Sequence, residues 1–109
     1  MLANNGVVQL TGATTWVLAA PRVGSLVTIY CPSTNSTANV TIVSTSSSGQ
    51  VAFNSLGGTQ KLILSPTTAA AGEDMSVTLF GEATTQWRIV SCWPKLAADS
   101  TTNGIRVTT

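Results

Sequence analysis

The 109-residue chain contains no histidine. That absence removes Ser-His-Asp and Cys-His activation of a nucleophile, imidazole acid–base work and most zinc sites. A Ser-Lys pairing is formally open, but no spacing here recommends one. Glu73-Asp74 is the one adjacent carboxylate pair. Nothing around it resembles a loop that gathers the six or more oxygens calcium takes, so it reads as a solvated turn entering a strand. The expectation is a non-enzyme with no catalytic, metal or cofactor-binding residues.

Charge is scarce too. Asp, Glu, Lys and Arg make up 8% of the chain, against about 25% in an ordinary soluble domain. The five basic residues, Arg22, Lys61, Arg88, Lys95 and Arg106, are scattered, and the net charge is +1. A nucleic-acid binder shows a clustered basic footprint to neutralise phosphates, so nucleic acid is not an expected partner. No apolar run approaches the length that spans a bilayer, and no membrane association is expected. The opening residues 1–6 lack the basic-then-apolar pattern of a signal peptide, which points to synthesis in the cytosol.

There are two cysteines, Cys31 and Cys92, each near the end of an expected strand. A disulfide is open if those strands lie opposite one another. Two buried thiols behaving as small hydrophobes are the alternative, and a cytosolic origin favours them. An immunoglobulin domain would place a Trp well after its first cysteine; here Trp87 lies five positions before the second, and the match fails.

What is present is a hydrophobic share of 43% and thirty Ser and Thr residues. The length fits one domain with one core. Hydroxyls therefore supply the polar positions that a strand shows to water, and such a surface repels its neighbours weakly. That suits a protein that lives assembled, or a secreted adhesive module.

Period-two alternation organises the chain. Strands are expected over 7–11, 15–19, 26–31, 39–44, 50–53, 60–64, 74–80, 86–92 and 105–108. Pro32 ends the third by removing a ladder donor, and the Asn54-to-Gly58 segment is rich in residues that tolerate left-handed turns. Short helical turns are expected near 68–72 and 96–99. The expected architecture is all-β, a single small β-sandwich or jelly-roll-like domain of about eight strands over residues 1–109. Its core spans about 7–92, with flexible terminal arms at 1–6 and 95–109 that order only against something else.

Asn35-Ser36-Thr37 and Asn39-Val40-Thr41 fit the N-glycosylation pattern, which a Ser/Thr-rich chain generates by chance. Trp16 and Trp87 lie within alternating strands and read as core. Trp93, just past a strand and followed by Pro94, is an interface candidate, since Trp is enriched at binding hot spots.

Two stretches carry a resemblance: Thr15-Trp16-Val17-Leu18-Ala19-Ala20-Pro21-Arg22-Val23-Gly24, and residues 77–91 with Gly81, Thr84-Thr85-Gln86-Trp87-Arg88 and Ile89. They resemble segments of small β-rich head decoration proteins of tailed bacteriophages, over roughly residues 7–92. Gln86 stands where an arginine often precedes the tryptophan, and Arg88 follows it instead. The resemblance implies a protein made in the host cytoplasm that binds the major capsid protein on the outer surface of the virion. It also implies self-association, often as a homotrimer, and no catalytic residues. Arg22, Arg88 and Trp93 are the expected interface residues. The rival reading is a receptor- or glycan-binding module of a phage fibre or tail, or of a secreted adhesin.

Overall fold

The computed structural model describes residues 1–10, 15–32, 40–46, 49–54, 61–65, 74–93 and 104–108. They form ten strands: β1 Gly6–Gln9, β2 Thr15–Ala19, β3 Leu26–Cys31, β4 Val40–Ser46, β5 Gly49–Gln50, β6 Ala52–Phe53, β7 Lys61–Ser65, β8 Met75–Ala83, β9 Gln86–Trp93 and β10 Gly104–Thr108. The two expected helical turns and both glycosylation patterns lie at least partly outside the described residues.

The strands build two sheets. The first has the order β1-β3-β8-β9-β6, and the second β10-β7-β4-β2, with β5 folded back on β4. The two-sheet sandwich expected from the alternation is what forms. Its pairing is more mixed than that of a jelly roll, which is antiparallel: β1 with β3, β2 with β4 and β6 with β9 all run parallel.

The alternation explains the layers. In β8, Met75, Val77 and Leu79 are buried while Ser76, Thr78 and Phe80 are half-exposed. Val27, Ile29 and Cys31 of β3 face the same way. Opposite them, the second sheet contributes Leu18, Val40, Ile42, Leu62, Leu64 and Ile105 to one continuous core. Burying such side chains is worth about 1.5–3 kcal/mol each.

One polar chain crosses that core. Trp87 is fully buried, and its indole Nε1 donates to Ser44 Oγ at 3.2 Å. Ser44, itself buried, donates in turn to the Ala19 carbonyl at 3.3 Å. The two sheets are thus joined by a directional link through otherwise apolar packing.

The two cysteines flank β8 rather than face each other. Cys31 pairs with Met75 on one side and Cys92 with Val77 on the other. Two strand spacings put them about 10 Å apart or more, beyond the roughly 7 Å limit for a disulfide. Both thiols are free. Burial, and then the Asp74 carboxylate, pushes the Cys31 thiol up, which makes it a poor nucleophile.

The amino-terminal segment expected as a loose arm packs instead. Leu2 is buried and bridges Leu18. Its N–H donates to Val17 O at 2.7 Å, and its carbonyl accepts from Ala19 N at 2.9 Å. Asn4 Nδ2 adds a bond to Ala20 O at 2.9 Å. The physical reason is that β2 is an edge strand with unpaired backbone groups, which this segment satisfies. At the other end, β10 pairs with β7 and buries Ile105 and Val107; the rest of the expected arm, 95–103 and 109, lies outside the described residues.

The Trp87–Ser44 link yields a stability prediction. Trp87→Phe and Ser44→Ala should each cost about 1–3 kcal/mol, because each strands a buried polar partner or removes its bond. The double variant should cost less than the sum by about 0.5 kcal/mol or more, read from urea melts. Strict additivity would show that the two groups are not coupled.

Candidate functional site

The chain enters the first sheet through the turn Arg22-Val23-Gly24-Ser25. Ser25 N donates to Arg22 O at 2.9 Å, and Gly24 has φ +85°, a value that glycine adopts without strain. Ser25 Oγ also donates to Arg22 O, at 2.7 Å. The turn is then clamped onto β8: Gly24 N donates to Gly81 O at 2.9 Å and Gly81 N to Ser25 O at 2.8 Å. Gly81 is what allows this approach, since a Cβ there would overlap the Arg22 carbonyl oxygen and crowd Ser25 Oγ. The outcome is a rigid tip with Arg22 exposed and Val23 70% exposed.

The hairpin beside it is shaped by a bulge. Gly81 pairs with Trp87 but Ala83 pairs with Gln86, so Glu82 is the extra residue. Bulges re-aim side chains. Here the Glu82 carboxylate accepts from Gln86 Nε2 at 2.7 Å and from Arg88 Nε at 2.8 Å. These two bonds, Arg88 first, hold its carboxyl below the ordinary glutamate value.

A second irregularity lies between Thr78 and Leu79, opposite Val90. Asn54 stabilises β9 just before it. Its backbone has φ 58°, its N–H donates to Trp87 O at 2.8 Å, and its side-chain oxygen accepts from Ile89 N at 2.8 Å. The amide thereby continues the ladder after β6 ends, a role an Asn fills because it tolerates the left-handed region.

On the outer face of the first sheet, three cross-strand rows result: Leu26–Phe80–Arg88, Val7–Thr28–Thr78–Ser91 and Gln9–Tyr30–Ser76–Trp93. Val7, Leu26, Val90 and Trp93 are 77%, 54%, 53% and 66% exposed. Thr28 and Thr78 hydroxyls bond each other at 3.0 Å in the centre. At the Trp93 end, removal from water and the neighbouring Asp74 carboxylate raise the Tyr30 hydroxyl above its ordinary value.

Of the three expected interface residues, Arg88 and Trp93 share this face because of the extra residue at Val90, which leaves them opposite Phe80 and Ser76, four residues of β8 or about 13 Å apart. Arg22 sits on the tip, at the Arg88 end. Trp87 is core as expected, and Trp16 packs half-buried against it. Sequence reasoning missed the exposure of Leu26 and Val90 and the structural part of Gly81. The signals for them were a strand opening on Leu directly after the turn, an unbroken run from Ile89 to Val90, and a lone glycine in a strand. Among the described residues, no group of three or more His, Cys, Asp or Glu is placed to hold a metal ion.

No family model matches the chain, and comparison with curated proteins and with solved structures finds no match.

Two outcomes follow from this geometry. Gly81→Ala should lose roughly 1–3 kcal/mol, because the added methyl must push the turn away, and should raise amide exchange at Gly24. An unchanged melt would show that the clamp is soft. For Glu82, a lowered folded pKa means its contribution is present above the unfolded carboxylate value and fades as pH falls through the folded value. The pair is exposed, so the effect on stability should be small. In Arg88→Met, the Glu82 carboxyl resonance should titrate closer to an ordinary glutamate, while Gln86 keeps it from returning fully.

Proposed function

We propose that this chain is a structural virion protein that binds the exterior of a bacteriophage head shell and stabilises it. The observation that carries the reading is the clamped tip. The two segments that resemble decoration proteins lie more than fifty residues apart in sequence, yet they form one unit. Gly24 and Ser25 bond to Gly81, and Ala19 and Trp87 meet through Ser44. A resemblance spread over two unconnected surface strips would carry less weight.

The tip presents a cation beside an apolar side chain on a backbone that is already fixed. Docking it orders little new chain, so more of the contact energy appears as affinity. Arg22 is suited to an acidic group of the major capsid protein, and Val23 to a shallow apolar contact next to it. One such contact is modest. On a shell of many equivalent sites, copies that are joined to each other hold on through avidity. This requires no chemistry from the protein, in keeping with a chain that has no histidine.

The test uses capsids stripped of the protein. Added back, wild type should bind and raise the temperature at which the shells release their DNA. Arg22→Glu and Val23→Ser should each weaken uptake at least about tenfold, with the isolated domain's melting temperature unchanged, since both side chains are exposed. Capsids that stay bare while the protein binds host cell-wall glycan would overturn the proposal in favour of an adhesin, with exposed Trp93 as the sugar-stacking surface.

A further inference from the structure

The amino-terminal segment straps one sheet to the other. Leu2 is held on β2, its N–H donating to Val17 O and its carbonyl accepting from Ala19 N, and β1 then runs along β3 from Gly6 onward. Between the two attachments the chain bends, at Asn4 and Asn5. Three asparagines fall among the described residues, and two have their side chains engaged. Asn4 Nδ2 donates to Ala20 O at 2.9 Å, and Asn54 Oδ1 accepts from Ile89 N at 2.8 Å. Asn5 is exposed, and among the described residues no hydrogen bond holds its amide.

We infer that Asn5 is a site of spontaneous backbone modification, where the side-chain amide is lost through a cyclic imide with Gly6 and the strap loosens as a result. The reaction needs a successor whose nitrogen is unshielded, and Gly6 is one. It carries no Cβ, its φ is +79°, and the place a Cβ would take is open space.

The step balances with the chain and water alone. The Gly6 nitrogen gives up its proton and bonds to Asn5 Cγ. The Cγ–Nδ2 bond breaks, and ammonia leaves with that proton. Water then adds to one of the two carbonyls of the five-membered imide. Opening at Cγ leaves an aspartate in ordinary main chain. Opening at the main-chain carbonyl leaves an isoaspartate, with the chain now running through Cβ and Cγ. Nothing is oxidised or reduced.

The fold permits this reaction and gives it a consequence. Gly6 is the first residue of the β1–β3 ladder, and a ladder opens at its end far more readily than in its middle. Fraying of that one pair frees the nitrogen without global unfolding. The isoaspartate product adds a negative charge and lengthens the main chain by one methylene, about 1.5 Å. That extra length falls between two fixed registers, so the weaker attachment yields. Leu2 is joined to β2 by a single bridge, whereas β1 has four pairs with β3. Release of Leu2 uncovers the edge of β2.

The full chain, kept warm in neutral buffer without capsids, tests this independently of the shell-binding reading. Peptide mass mapping with isoaspartyl-specific methylation follows each asparagine. Asn5 should convert within about tenfold of its rate in a free peptide of residues 1–10, while Asn4 and Asn54 stay intact. Residues 103–104 form a second Asn-Gly pair, so the fraction carried forward is the one modified at position 5 alone. In its isoaspartate form the Leu2 and Ala19 amides should exchange at least about tenfold faster than in fresh protein, and the Leu10 amide, bonded to Tyr30 O, at its old rate. Asn5→Gln, which would need a six-membered imide, should stay unmodified with Leu2 protected. Asn5→Asp adds the charge without the methylene and should also keep Leu2 protected when fresh. An Asn5 that survives while the free peptide is fully converted overturns the inference. So does conversion of Asn4 or Asn54 at the same rate, or an isoaspartate form whose Leu2 amide exchanges no faster than before.

Discussion

The structure turns on the burial of one indole. Trp87 occupies the core with no exposure, and its N–H must find an acceptor there or cost the desolvation of a lone donor. Ser44 is that acceptor, and it reaches Ala19 in the same move. On the strand ladder, Trp87 is paired with Gly81 on one side and Phe53 on the other. Its carbonyl receives the N–H of Asn54. The glycine opposite the largest side chain leaves the space into which the Arg22 turn fits. Replace the indole with a smaller group, and the cross-sheet link to Ser44 loses its donor, while the backbone bonds of Asn54 and of the Arg22 turn remain.

Two departures from a regular ladder then decide what the surface offers. The extra residue at Glu82 aims its carboxylate across the hairpin onto Gln86 and Arg88, so that the two opposite charges of Glu82 and Arg88 are paired with each other. The irregularity at Val90 leaves an apolar side chain outside, beside Ser91 and near Trp93. An unbroken β9 would have kept strict alternation and turned part of this patch inward. Bulges commonly sit where a sheet has work to do at its surface, and here they separate a rigid polar–apolar tip from a broad, nearly neutral face.

Low charge demands protection of the sheet edges, because little repulsion guards them. Leu2 and Asn4 cover part of the free edge of β2 with three backbone-directed hydrogen bonds. This converts a stretch with weak local pattern into part of the fold. The same logic applies to β10, a short strand whose apolar residues close one side of the core.

The sequence by itself determined the class and most of the elements. Period-two alternation is a local property, so the strands at 15–19, 26–31 and 86–93 could be read within a residue or so, as could the half-buried face of β8. The missing histidine and sparse charge bounded the chemistry without any coordinates. The parallel pairings, the partition into two sheets and the separation of Cys31 from Cys92 by an intervening strand were decided only in three dimensions. Each depends on which distant segments become neighbours, and alternation carries no record of partner or register. The tip and the outer face belong to the same category. Arg22, Arg88 and Trp93 could be singled out as residues, but Gly81 became the seat of the turn only because the Arg22-to-Ser25 segment packs directly over that side-chain-free position of β8.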